Sequence, residues 1–147
     1  MGAYQTVVVG TDGSDSSMRA VDKAAQIAGP DARLIVASAY LPQHEDSRAA
    51  DALRNESYKV SGTAPIYAIL QDAKERAHKA GAKNVEERPI EGAPVDALVK
   101  LAEDEKADLL VVGNVGLSTI AGRLLGSVPA NVSRRAKVDV LIVHTTN

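Results

Sequence analysis

Two short stretches carry the residues whose type and spacing could do chemistry: Gly10-Thr11-Asp12-Gly13 near the start, and the run from Asp108 to Asn131, which holds Gly113, Gly116, Gly126 and Ser127. A glycine lacks the side chain that would keep an anion away from the main chain, so Gly113 and Gly116 permit close approach. Gly126-Ser127 lies where a helix would begin, and there unpaired N–H groups and the positive end of the dipole face outward. Ser127 either caps that helix or turns its hydroxyl to a phosphate oxygen, and Pro129 falls in the first turn, where a missing N–H costs little. Asp12 has three readings: acceptor for a ribose hydroxyl, holder of a divalent ion beside a phosphate, or simple Asx-turn or cap residue.

Other chemistries find little support. The chain has 147 residues and no cysteine, which removes disulfides, thiol catalysis and thiolate metal sites. His44, His78 and His144 share no spacing that would assemble a metal site or an acid–base pair. No G-x4-G-K-[ST] occurs, so a phosphate-transferring lysine is missing, and Gly10-Thr-Asp-Gly13 does not spell the G-x-G-x-x-G of a dinucleotide site. A phosphoreceiver would need an acidic cluster and a lysine on the last strand, and Val140-Leu-Ile-Val143 supplies none. The first expectation is a binding protein and not an enzyme; a slow ATPase or phosphotransferase is the second reading, and a structural dimer whose glycine loop serves only packing the third.

The net charge of −2 comes from 17 basic and 19 acidic residues well mixed, which gives no footprint for nucleic acid or an anionic membrane. The basic cluster Arg134-Arg135-Ala136-Lys137 reads as cations placed at a helix C-terminus. Four Tyr with no Phe or Trp make poor stacking platforms. No apolar run approaches 18 residues and the N-terminus lacks a leader pattern, so no membrane span and a cytoplasmic location are expected.

The elements that must position the two stretches alternate in period. Gln5–Gly10 is β-branched and reads as a central strand; a helix follows, capped by Ser14 or Ser16, with Met18, Val21, Ala25 and Ala28 on one face and Gly29-Pro30 at its end. A strand over Arg33–Tyr40 precedes a long irregular insertion, Leu41 to Gly62, of the kind used as lid or partner surface. Thr63 caps the next helix, whose Ile66, Ile69, Leu70, Ala73, Ala77 and Ala80 share a face until Gly81. Asn84–Ile90 alternates and contains Pro89, both marks of an edge strand. Gly92-Ala-Pro94 opens a helix with Val95, Leu98, Val99 and Ala102 inward, then come the strand ending at Gly113, a final helix after Gly126, and a strand over Asp139–Val143. This β-α repetition, at a length suited to a single domain over 1–147, predicts an α/β fold of three layers, a five-stranded parallel sheet between helices.

Gly113, Gly116, Gly126 and Ser127 together spell G-x2-G-x9-G-[ST], and with the flanking elements the chain resembles the universal stress protein family, whose ATP-binding members carry this pattern. The resemblance implies a Rossmann-like sheet of order 3-2-1-4-5, which would bring the Gly10–Gly13 and Gly113–Gly116 loops together at the switch point. It implies nucleotide contacts from Gly10, Thr11 and Asp12, a main-chain reading of the adenine edge at Ala39, and phosphate contacts from Gly113, Asn114, Val115, Gly116, Gly126, Ser127 and Val128. Asn114-Val115 departs from the basic residue common between the first two glycines, and Arg123 is the only cation between Gly113 and Ser127. Little charge is therefore available to offset a triphosphate, which leans the ligand toward AMP or cyclic AMP over ATP with magnesium. The last strand would be an exposed edge bearing Val138, Val140, Leu141, Ile142 and Val143, and the family commonly dimerises there.

Overall fold

The computed structural model describes residues 4–40, 64–113 and 137–144. Eight elements follow in order: β1 (Thr6–Gly10), α1 (Asp15–Ala28), β2 (Arg33–Tyr40), α2 (Ala64–Lys79), β3 (Asn84–Glu91), α3 (Pro94–Asp104), β4 (Leu109–Gly113) and β5 (Asp139–Val143). The five strands form one parallel sheet in the order β3-β2-β1-β4-β5. The expected insertion between β2 and α2, the Thr63 cap and the helix after Gly126 lie outside the described residues.

Local chemistry explains where the helices begin and end. Ser14 is the N-cap of α1, its hydroxyl accepting the Ser17 N–H at 3.2 Å, and Asp15 adds negative charge to the first turn. Gly29, at φ 63°, ends the helix by returning its N–H to the Ala25 carbonyl at 2.8 Å. Arg76, His78 and Lys79 occupy the last turn of α2, where cations suit the negative end of the dipole. Pro94 opens α3 at a position that needs no N–H donor.

Strand alternation divides the core. Val7, Val9, Leu34, Val36, Leu109 and Val111 point to one face and pack under α1 and α2, against Met18, Val21, Ile66 and Leu70. Val8, Ile35, Leu110 and Val112 point to the other and pack under α3, against Leu98, Leu101 and Ala102. A central strand buried on both faces needs an unbroken apolar run, which is why Val7-Val8-Val9 and Leu109–Val112 show none of the alternation of a half-exposed strand. Each such Val or Leu contributes about 1.5–3 kcal/mol by leaving water.

β3 is an edge, as its Pro89 and alternation predict. β5 is the other edge. Val138 and Val140 turn toward the α3 side and Leu141 and Val143 toward the α1 side, so Ile142, 41% exposed, is the one apolar side chain of the set left open to solvent.

Candidate functional site

In a parallel sheet every strand delivers its C-terminus to the same end, and β1 and β4 are the neighbours whose chains leave in opposite directions. Their pairing runs through Val7–Leu109, Val8–Leu110 and Val9–Val111. Thr11 and Gly113 each lie two residues beyond that last rung, so the C-terminal ends of β1 and β4 arrive at one level. Gly113 itself is the buried last residue of β4, in register with Val143, and so belongs to the strand. Asn114, Val115, Gly116, Gly126, Ser127 and Val128 lie outside the described residues.

The β1–α1 turn is closed by its own side chains. Thr11, fully buried, extends the β1–β2 ladder by one bond, its N–H reaching the Ala37 carbonyl at 2.9 Å. Asp12 N–H donates to Ser17 Oγ at 3.2 Å, Gly13 N–H to Thr11 Oγ1 at 3.1 Å, and Ser14 N–H to Asp12 Oδ1 at 3.0 Å. The main-chain donors from Thr11 to Ser14 are thus used within the protein, and the turn is no cradle for an anion. It offers the reverse, a half-buried carboxylate at the mouth of the crevice. The Asx-turn reading of Asp12 is realised through Oδ1.

Ala39 has a distinct geometry. Pairing of β2 with β1 ends at Gly10–Ala37 and the Thr11 bond, while pairing with β3 continues through Ala39–Ile90 to Tyr40–Glu91. The Ala37 carbonyl points toward β1 and that of Tyr40 toward Gly92, whose N–H it accepts at 2.7 Å. Because main-chain groups alternate sides along a strand, Ala39 directs its N–H and C=O to the β1 side, at a level β1 no longer occupies.

One residue packed under this turn, Ser17, escaped the sequence reading, whereas Gly13 was read as part of the loop. Gly13 has φ +89°, and a Cβ placed on it would lie 2.9 Å from Ile69 Cγ1 on α2, so both torsion and space disfavour a side chain. Ser17 is fully buried and hydrogen-bonded to Thr11, Asp12 and Ser14. Its signal was a hydroxyl placed four, seven and eleven residues before Val21, Ala24 and Ala28, within the apolar stripe of α1.

The two described histidines lie apart from each other. His78 Nδ1 lies 3.0 Å from the Ala82 carbonyl at the end of α2, His144 is exposed after β5, and His44 lies outside the described residues. A cleft of about 380 Å³ between α2 and β3, lined by Tyr67, Gln71, Lys74, Glu75, His78 and Glu87, contains none of the candidate residues. It sits at the β3 edge, away from the switch point.

Fold and site together define a doubly wound α/β protein with a polar β1–α1 turn, carrying the half-buried Asp12 carboxylate, at its switch point. The Universal stress protein family pattern matches residues 3–144, and the chain belongs to that family. It is 88% identical over 146 residues to universal stress protein Rv1636 of Mycobacterium tuberculosis, spanning 99% of this chain and 100% of that protein. A universal stress protein crystallised in complex with cAMP shares 64% identity at a TM-score of 0.75, covering 99% of this chain and 100% of that one. UspA from Lactobacillus plantarum, 21% identical, superposes with a TM-score of 0.77 over 97% of this chain and 99% of its own, a likeness of fold.

Proposed function

We propose that this protein binds a small adenine nucleotide, cyclic AMP or AMP, at the switch-point crevice and acts by sensing or sequestering it, without turning it over. The observation that carries the reading is the 64%-identical universal stress protein in complex with cAMP, matched along 99% of this chain. The local geometry supports a division of labour. Asp12 presents an acceptor suited to a sugar hydroxyl, and the Ala39 main chain presents a donor and an acceptor suited to the adenine edge. Gly10 and Thr11 bring β1 up to the crevice floor. With the β1–α1 donors already used, the phosphate falls to the stretch from Gly113 to Val128, whose glycines and Ser127 offer main-chain and hydroxyl donors. That stretch holds one cation, Arg123, which favours a single phosphate or cyclic phosphodiester over ATP with magnesium.

The same reading takes the protein as a cytoplasmic homodimer joined along β5. A parallel edge strand left open invites pairing, and exposed Ile142 gives that edge an apolar contact.

Titration calorimetry with cyclic AMP, AMP and ATP, with and without magnesium, tests the ligand. Heat is expected with cyclic AMP or AMP and without magnesium; magnesium-dependent phosphate release from ATP, or silence with all three, overturns the reading. Gly116→Val and Gly126→Val are each expected to weaken binding by ~100-fold or more while the protein stays folded, because a side chain there covers the phosphate donors. Light scattering on the eluting protein tests the dimer, and a monomer at micromolar concentration sinks that part.

A further inference from the structure

The Ser17 hydroxyl has more neighbours than it can serve. Thr11 Oγ1 lies at 2.7 Å, Asp12 Oδ1 at 3.0 Å, the Ser14 carbonyl at 3.1 Å, and both Asp12 N and Ser14 Oγ at 3.2 Å. A hydroxyl owns one hydrogen and two lone pairs, so these contacts compete. Asp12 N–H has no option but to donate, and it takes one lone pair. Three oxygens could receive the one hydrogen. The Ser14 carbonyl already accepts the Met18 N–H at 2.9 Å, and Thr11 Oγ1 already accepts the Gly13 N–H. The carboxylate of Asp12 wins, because a bond to an ionised acceptor is roughly twice as strong as one between neutral groups. The second lone pair of Ser17 is left to the Thr11 hydroxyl at 2.7 Å and the Ser14 hydroxyl at 3.2 Å, both of which can donate to it.

The outcome is a carboxylate fixed by two donors on one oxygen: Ser17 Oγ–H and Ser14 N–H both reach Asp12 Oδ1 at 3.0 Å. Two bonds to one oxygen from opposite ends of the first helical turn fix the rotation of the whole group. Burial of Ser17 keeps water from replacing its bond. From the far side, Ile69 Cγ1 lies 2.9 Å from where a Cβ on Gly13 would sit.

We propose that Ser17 is a positioning residue, whose buried hydroxyl aims the Asp12 carboxylate at the 2′-hydroxyl of a bound adenine nucleotide and so sets the preference for ribose over deoxyribose. The inference rests on the nucleotide reading above. Cyclic AMP is the clean probe, since its 3′ oxygen is tied into the phosphodiester and the 2′-hydroxyl is the one sugar hydroxyl left.

The test is calorimetry of the full chain with cyclic AMP and 2′-deoxy cyclic AMP, using wild type, Ser17→Ala, Asp12→Ala and the double variant, with thermal midpoints recorded. Ser17→Ala is expected to weaken cyclic AMP by about tenfold and the deoxy analogue by less than about twofold, and to have no further effect once Asp12 is alanine. An equal loss with both ligands, or a loss that persists in the Asp12→Ala background, shows that Ser17 acts through packing and overturns the proposal. Should the alanine variant not fold, Ser17→Thr keeps the hydroxyl and Ser17→Cys keeps the volume without a strong donor. Threonine is then expected to preserve the ribose preference and cysteine to erase it; the reverse overturns the proposal. Wild type that binds no adenine nucleotide removes the nucleotide reading and this inference with it, whereas a wild type that binds and a Ser17→Ala that binds equally well removes this inference alone.

Discussion

The two ends of the sheet are built from different materials. At the C-terminal end, Thr11, Asp12, Ser14 and Ser17 satisfy one another through short polar side chains around a fully buried hydroxyl. Toward the N-terminal end, on the α3 side, charge is paired with charge. Arg33 binds Glu86 through Nε and, at 3.0 Å, through Nη2, and the same Nη2 reaches Glu105 at 2.6 Å; Arg88 bridges Glu105 at 2.9 Å and Glu86 at 3.3 Å. Asp108 sews the start of β1 by accepting from Gln5 N–H at 2.8 Å and Thr6 N–H at 3.0 Å. Long charged side chains pinned to each other brace an open sheet edge, and they leave little net charge to attract a ligand. Short hydroxyls and one main-chain N–H hold the half-buried Asp12 carboxylate at the end of β1. The contrast teaches that charge-paired bracing and the crevice proposed for binding sit at opposite ends of the same strands.

The largest break in that division should come from Gly13→Val. A β-branched residue at φ +89°, pressed against Ile69, is expected to cost about 2–3 kcal/mol in denaturant unfolding and to abolish nucleotide binding as well. An unchanged unfolding midpoint would show that the turn is looser than its contacts imply. Next in size, Arg33→Met strips two carboxylates of one of the two arginines they share. The thermal midpoint should fall by several degrees with cyclic AMP affinity unaltered, and a change in affinity would mean the two ends are coupled.

Acid should act on the braced end. Hydrogen bonds from Arg33 hold the Glu86 carboxyl below its usual range, and Arg33 followed by Arg88 does the same for Glu105. A carboxyl whose folded-state pKa is depressed contributes stability that is complete above its unfolded value. That contribution is lost as pH falls through the folded one. The midpoint of wild type is therefore expected to drop more steeply than that of Arg33→Met as pH is lowered below about 4.5, and parallel curves in a pH series of melts would remove the network as the cause. The smallest effect belongs to Lys100→Ala. Its bond to Asp104, 3.2 Å along the exposed face of α3, should contribute less than about 0.5 kcal/mol, and a larger loss would call for a role beyond the pair.

Much of this arrangement is legible in the chain itself. The unbroken run Val7-Val8-Val9, the stripe Met18, Val21, Ala25, Ala28 and the glycines at 29 and 81 fix strand, helix and stop through local propensity and period, which depend on near neighbours. The family pattern supplied the strand order, which no periodicity encodes, and the sheet has that order. Ser14 and Ser16 were equal as caps by type, and the choice of Ser14 came with the backbone path of the turn. Glu86, Arg88 and Glu105 look like ordinary surface charges in the text, for Arg33 meets Glu86 across 53 residues and Glu105 across 72.

Alone, the sequence determined which of the described segments are strands and helices, and that a polar turn bounded by Gly10 and Gly13 follows the first strand. Tertiary structure decided the rest: parallel register carries Thr11 and Gly113 to one level, turns the Ala39 main chain toward the gap β1 leaves, and buries Ser17 where its one hydrogen must choose Asp12. The reason is range. Torsional preference and apolar period act over a few residues, whereas a hydrogen bond's direction and a buried group's partners exist only once distant segments have packed.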